Sequence, residues 1–362
     1  MNRRMREAPG GPVLADRVVD SGCRAIAILG LHPGSGAGTV LGRVAADLAM
    51  RGLGPSVTSA APGPVRSDPT AWAGERATLP AGMVAATSRG AIAELGTGCR
   101  ILEATGERAT FGEVVIVEVI EDGPVLLNGP EDPAAVAAVL HRLGVLRPGP
   151  VLATGRWEQR AFAAPGTIDG VVLAIGAAAS STPERAASAL RHHAEMFALP
   201  VADEFAQDAL REASARRAVL LVGGDGEVAD AIHPDLGDPA REIALAGADL
   251  ARIVVPGALS DELLSALVRA PVVGSVVIHD VTRLNVSPVY YQAWLKKGGT
   301  FVVGRTSRLL AVACNPANPV GEDFEPEAFR AAVSSAVPHV PVHDVFAEAP
   351  AAPEAIGWRF WL

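Results

Sequence analysis

The residues best placed to do chemistry in this chain are Gly34, Ser35, Gly36, Ala37, Gly38 and Thr39, inside the segment Gly30-Leu-His-Pro-Gly-Ser-Gly-Ala-Gly-Thr39. Four glycines in nine residues let the backbone take positive φ and bring its N–H groups close to an anion. The segment follows an apolar run, Ala25 to Leu31, and precedes a helical pattern that starts at Thr39. Backbone amides and the helix dipole converge at such a junction, so the chemistry expected is phosphate binding. A tight strand-to-helix turn without a ligand is the alternative.

Two nucleotide motifs compete for the segment. The dinucleotide fingerprint G-x-G-x-x-G fails, because after Gly34-Ser35-Gly36 the next glycine comes one residue early, at Gly38, and no acidic residue lies between Ser56 and Ala61. The Walker A pattern G-x-x-x-x-G-K-[ST] aligns with Thr39 in the hydroxyl place, Gly38 in the lysine place and Ala37 in the place of the preceding glycine. That lysine reaches the β- and γ-phosphates, and charge stabilisation is nearly all of phosphoryl-transfer catalysis. The chain has only two lysines, Lys296 and Lys297. A degenerate phosphate loop is therefore expected, with ATP and Mg²⁺ bound weakly and hydrolysis weakened or absent.

The elements that must position the loop are legible as alternating patterns. Val40, Val44 and Leu48 form one stripe of a helix whose other face carries Arg43, Asp47 and Arg51, and Gly52 stands where a C-cap glycine belongs. Short strands are predicted at 83–87, 100–104, 113–120 and 124–127, the last two joined by a hairpin turn at Glu121-Asp122-Gly123. A helix follows at 132–143, strands at 150–153 and 170–175, and a helix at 183–197. From Ala218 the alternation restarts: strands at 218–222 and 252–255, a helix at 260–268, a strand at 275–279, a helix at 287–296, strands at 300–304 and 309–313, and a helix at 325–335. This predicts an α/β protein with a mainly parallel sheet flanked by helices, of P-loop NTPase type, and a second α/β domain. The expected division is a tail over 1–22, the phosphate-loop domain over 23–215 and the second domain over 216–362.

Composition narrows the class. Hydrophobic residues make up 49% and charged residues 20%, which suits a large core rather than disorder. The longest apolar stretch, Val171 to Ala179, is far short of the roughly 20 residues that span a bilayer, so no membrane association is expected. Arginines in Met1 to Asp20 have no hydrophobic region behind them, which argues against a signal peptide. Cys23, Cys99 and Cys314 fit reduced thiols in a cytoplasmic protein. A net charge of −9 without a basic stripe argues against nucleic acid.

Several segments resemble one family. In order they are Arg100-Ile-Leu-Glu-Ala-Thr-Gly106, Phe111-Gly-Glu-Val-Val-Ile116, Gly123-Pro-Val-Leu-Leu-Asn-Gly-Pro130, Ile168-Asp-Gly-Val-Val-Leu-Ala-Ile-Gly-Ala177, Asp280-Val-Thr-Arg283, Leu309 to Pro319, and Val340-Pro-Val-His-Asp-Val345. Together, over residues 23–345, they resemble the reactivase subunits of adenosylcobalamin-dependent lysine 5,6-aminomutase and ornithine 4,5-aminomutase. The loop and the helix ending in Arg51-Gly52-Leu53 resemble dethiobiotin-synthetase-like ATPases. The resemblance implies an accessory, chaperone-like subunit that works with an actin-fold ATPase to exchange damaged cobalamin from a client enzyme, so cobalamin would enter only through that client. Where the family has lysine, Gly38 stands; where it has the first carboxylate of a Walker B-like stretch, Thr154 stands, with Glu158 as the second. Both losses point to a pseudo-ATPase. The alternatives are an active ATP-dependent enzyme of dethiobiotin-synthetase type, with arginine in place of lysine, and a scaffold that binds no nucleotide. Few charges, an apolar carboxyl terminus and a weakened site predict a homo-oligomer, or a heteromer with a partner subunit or client.

Other constellations carry less. Glu158 and Asp280 are the candidate catalytic residues, Asp280 because it ends a buried strand where α/β proteins bind ligands; a helix cap is its alternative role. His192 and His193 are adjacent on a helix and expected on a solvated face, His339 and His343 are separated by Pro341, and Asp225, Glu227, Asp230, Asp235 and Asp238 lack an EF-hand order, so no metal site is expected. Ser35 lies in no G-x-S-x-G elbow, and Trp358 and Trp361 read as a docked apolar tail.

Overall fold

The apolar run at Ala25–Gly30 (β1) is buried along nearly its whole length, as is Gly170–Gly176 (β9), so both read as strands covered on two faces. In the computed structural model, which describes residues 13–60, 75–95, 98–233, 242–243, 250–319, 321–345 and 347, they lie side by side and parallel. The chain divides into two compact units, one of Met1–Phe162, Thr167–Arg191 and Leu309–Leu362, the other of Ala163–Gly166 and His192–Arg308.

The first unit is built on a nine-stranded sheet. Its other strands are Ser56–Ser59 (β2), Val84–Ser88 (β4), Cys99–Ala109 (β5), Gly112–Val119 (β6), Val151–Arg156 (β8), Arg308–Asn315 (β17) and Val342–His343 (β18). The order is β18-β17-β9-β1-β8-β2-β4-β6-β5. Strands β1, β2, β4, β8 and β9 pair in parallel, whereas β6 runs antiparallel to both β4 and β5. Leu310 lies against Gly170 at the start of β9, and Asn315 against Gly36 beyond the end of β1, so β17 runs the same way. From β1 the chain passes through Ala37–Met50 (α2) to β2, two places away on one side; from β8 it crosses β1 to β9 on the other. The carboxyl end of β1 is thus the switch point of the sheet, the place where open α/β sheets leave a crevice.

Helix α2 is enclosed. Its Gly42 faces the Thr78 carbonyl, 2.9 Å from where a Cβ would stand, on a two-stranded ribbon of Glu75–Leu79 (β3) and Gly123–Leu127 (β7). Of the polar face expected on α2, Arg43 and Asp47 are consequently not solvated, while Arg51 stays exposed. Arg43 and Asp47 are buried as an ion pair at 3.0 Å, with Arg43 Nη1 also donating to the Val345 carbonyl at 3.4 Å.

The second unit holds a five-stranded sheet, with Val219–Gly223 (β10), Val228–Ile232 (β11), Leu250–Val255 (β12), Ser275–Ile278 (β14) and Thr300–Val303 (β16) in the order β11-β10-β12-β14-β16. Strands β12, β14 and β16 are parallel, and β10 is antiparallel to both its neighbours. Leu259–Ser260 (β13) and Leu284–Asn285 (β15) form a separate short ladder. After the helix Pro288–Lys296, Lys297 turns its Nζ onto the carbonyls at the end of the helix Asp261–Arg269: Leu267 at 2.8 Å, Val268 at 3.0 Å, and Ala270. A cation there satisfies the orphan carbonyls of a helix C-terminus.

The structure departs from the sequence expectations in several places. Residues 13–22 are not a tail: Leu14–Ser21 (α1) buries Leu14, Ala15 and Val18, and Asp16 pairs with Arg51. The proposed hairpin at Glu121-Asp122-Gly123 does not form, since β6 pairs with β5 through the turn at 110–111 and β7 belongs to the ribbon. The main stretch of the second unit begins at His192 rather than near 216, and the segment after Arg308 returns to the first sheet as β17 and β18. The helix Glu204–Arg216 buries Ala206, Ala209, Leu210 and Ala213, a face too rich in alanine to stand out as apolar periodicity. His192 is buried edge-on against Tyr291, at 5.0 Å between centroids, instead of on a solvated face. Asp230 is exposed on strand β11; Asp235, Asp238, Trp358 and Trp361 lie outside the described residues. No helix is long and apolar enough to cross a membrane among the described residues.

Candidate functional site

The loop between β1 and α2 is shaped by two glycines in the left-handed region, Gly34 at φ +77° and Gly36 at φ +84°, with buried Ser35 between them. Gly36 is the N-cap of α2 and offers no capping side chain. The Ser35 amide closes a turn on the His32 carbonyl at 3.2 Å, and the Gly36 carbonyl accepts the first helical bond from Val40. The amides of Gly36, Ala37 and Thr39 have no protein partner among the described residues. These are orphan donors at the positive end of a 14-residue helix.

Neighbouring strands hold the loop tightly. A Cβ on Gly176, the last residue of β9, would stand 2.6 Å from the Gly34 carbonyl oxygen, so the loop can lie this close only over glycine. The Gly176 amide donates to His32 Nε2 at 3.1 Å; the ring proton must then be on Nδ1, which donates to the Pro33 carbonyl at 2.7 Å. Burial is the main cause holding the His32 pKa below its ordinary value, against the opposing pull of Glu158. From the other side Asn315 packs on Gly36 and donates Nδ2 to the Gly34 carbonyl at 3.4 Å, leaving the amides uncapped.

Strand β8 supplies the floor and one wall. Thr154 pairs with Ile28 and Arg156 with Gly30 in register, so all four point to one face of the sheet. That face, at Gly30, meets Ser35 Oγ and the Ala37 Cβ, which places Thr154 beneath the start of α2. Thr154 is fully buried and its Oγ1 has no hydrogen-bond partner among the described residues. A buried hydroxyl left unpaired costs free energy, and a ligand oxygen or water at this point would relieve it. Arg156 is exposed beside Gly30 and makes no ion pair among the described residues, while its amide donates to Gln159 Oε1 at 3.1 Å.

The candidates from the sequence are divided between the two units. Gly34, Ser35, Gly36, Ala37, Gly38 and Thr39 form one loop, with Gly38 buried in the first turn of α2. Glu158 is exposed on the turn after β8 and exerts its charge on His32 and Arg160. Asp280 belongs to the second unit, where it is buried and accepts from the Thr282 amide at 2.8 Å and the Thr282 hydroxyl, capping the turn Val281–Arg283. His32 and Asn315 were not singled out by motif spacing. His32 stands where the Walker pattern has its first glycine, and Asn315 reaches the loop from 281 residues away. Among the described residues no group of three His, Cys, Asp or Glu side chains could hold a metal ion. The donors gathered at the loop, backbone amides and a threonine hydroxyl, are of the kind that binds an oxyanion. Comparison with known proteins gave no match: neither a protein-family model, nor a curated protein, nor a solved structure corresponds to this chain.

Proposed function

We propose that this chain is a P-loop-like accessory protein that holds a nucleotide through its phosphates without hydrolysing it. The observation that carries the reading is three amides at the start of α2 over the buried Thr154 hydroxyl, all without a partner among the described residues. Backbone donors suffice to bind an oxyanion, but hydrolysis needs mobile positive charge on the γ-phosphate and a metal, and neither Gly38 nor Thr154 supplies it. The ordered segments between Cys23 and Val345 support placing the protein with aminomutase reactivases, acting on a client enzyme as a homo-oligomer or heteromer; Asn315, from one of those segments, lies against the loop.

One observation favours a second reading. Arg156 is an exposed cation in register beside Gly30, so an arginine could take the lysine's place in an active ATPase of dethiobiotin-synthetase type. Arg43 is unsuited to that role because it is buried against Asp47. Calorimetric titration with ATP, ADP and inorganic phosphate, alongside phosphate release with Mg²⁺, separates the readings. Weak binding without turnover supports the first. Robust Mg²⁺-dependent turnover lost in Arg156→Gln establishes the second, and no binding of any of the three leaves a scaffold. Light scattering showing only monomer, with no partner recovered in pull-downs, would remove the accessory role.

A further inference from the structure

The second unit has its own carboxyl edge, and the side chains gathered there are not absorbed by the loop's function. His279-Asp280 follows the end of β14, and Gly304-Arg305 follows the end of β16. The ladder continues past both ends: the Gly304 amide donates to the Ile278 carbonyl at 2.8 Å, and the Arg305 amide to the His279 carbonyl at 2.9 Å. Gly304 therefore stands beside His279 and Arg305 one residue further, beside Asp280, with its Nη1 3.5 Å from where a Cβ on Gly166 would be. Arg283 closes the turn that Asp280 caps, its amide donating to the Asp280 carbonyl at 3.1 Å. Both arginines are exposed, and neither forms an ion pair among the described residues.

The ring of His279 is oriented by a hydroxyl with no proton to spare. Ser214 Oγ donates to the Leu210 carbonyl at 2.7 Å, so at His279 Nε2, 2.9 Å away, it must accept. The neutral ring consequently carries its proton on Nε2 and leaves Nδ1 without a protein partner among the described residues. The charged groups acting on the ring are Asp280, Arg283 and Arg305. Two fixed positive charges thus face one carboxylate, and one oxygen of that carboxylate is already taken by Thr282. Exposed arginines without partners at the carboxyl ends of parallel strands are suited to bidentate capture of an oxyanion.

We infer that the second unit carries an anion site of its own, in which Arg283, Arg305 and protonated His279 Nδ1 hold the phosphate or carboxylate group of a small ligand. Anion binding here takes up a proton. Burial is the largest cause lowering the His279 pKa and the two arginines lower it further; a bound anion offsets their charge and gives Nδ1–H an acceptor, so the pKa rises. Affinity increases as the pH falls through the pKa of His279. Asp280 opposes the anion and limits the affinity of the site.

The experiment follows the histidine imidazole resonances of the intact protein while inorganic phosphate, and separately malonate, is added. His279→Gln assigns the resonance, and His32 reports the loop of the first unit in the same spectrum. The expected result is a saturable shift of His279 and a raised pKa for it, with phosphate alone effective if the ligand is a phosphoester and malonate alone if it is a carboxylate. Arg283→Gln and Arg305→Gln each weaken binding by about tenfold, equivalent to 1.4 kcal/mol. Unfolding midpoints confirm that these exposed substitutions leave the fold intact. The inference is overturned if neither anion moves His279, or if both arginine variants retain the affinity of the natural protein. A response of His32 without one of His279 supports the loop site and refutes this one.

Discussion

At the carboxyl edge of the nine-stranded sheet the donors are the backbone amides of Gly36, Ala37 and Thr39, whereas at that of the five-stranded sheet they are the side chains of His279, Arg283 and Arg305. The two edges share a geometry and differ in where the positive charge resides. Amides aligned on a helix carry partial charges that neither titrate nor move, so the first edge can hold an oxyanion without following charge as it develops. Guanidinium and imidazole groups carry whole charges, exposed to salt and, for His279, to pH. The first edge is therefore suited to retention and the second to conditional binding. Added salt should weaken the response of His279 to phosphate more than that of His32.

The largest effect expected from breaking this contrast is that of Gly176→Ala. Its new methyl would meet the Gly34 carbonyl, a backbone atom that no rotamer change can move aside. We expect a loss of roughly 1–3 kcal/mol of stability from overpacking and loss of phosphate binding at the loop, with the His279 response kept. Calorimetry on the folded variant checks this, and undiminished binding would show that the loop is not the anion's seat.

Adding a mobile cation to the first edge sharpens the contrast in the opposite direction. Gly38→Lys should tighten ATP binding by roughly 1.5–3 kcal/mol through charge-assisted hydrogen bonds. Phosphate release should stay low until Thr154→Asp is added with Mg²⁺. Rapid turnover in the single variant would mean that a metal contact is not what the site lacks.

A smaller effect concerns acid. His32, His192 and His279 all have pKa values held below the ordinary 6.5, chiefly by burial. The unfolded chain therefore binds more protons than the folded one just below pH 6.5, and stability falls as the pH drops through that value until the folded-state pKa values are reached. His32 contributes because protonating Nε2 breaks its bond from the Gly176 amide. Urea midpoints measured across this range should decline toward acid, and less steeply in His32→Gln. The smallest effect should come from Lys297→Met, which uncaps a helix for about 0.3–1 kcal/mol and leaves both anion responses unchanged.

Much of the frame was legible because its signals are local. The apolar runs of β1 and β9 announce buried parallel strands, and the glycines between β1 and α2 announce the loop. What stayed hidden depends on distant parts of the chain. Nothing near Arg43 and Asp47 says that α2 will be covered by a ribbon, so their burial is invisible to helical periodicity. The return of residues 309–343 to the first sheet, which brings Asn315 to Gly36, is likewise a matter of tertiary pairing. The anion cluster of the second unit combines side chains from two strand ends and a turn, and no spacing in the sequence marks it.

The placement of Lys297 bears on how this protein meets amine chemistry. Its Nζ is tied to three helix-end carbonyls, and the only other lysine, Lys296, is exposed beside it. To acylate Lys297 a reagent would first have to pull the ammonium off those carbonyls and remove its proton. Lys296 is left as the single side-chain amine open to an activated ester, an acetyl donor or the transfer of ubiquitin. A fluorophore or surface tether directed at lysine would thus attach at one known point of the second unit, and enzymes that mark proteins through lysine have one grip on this chain.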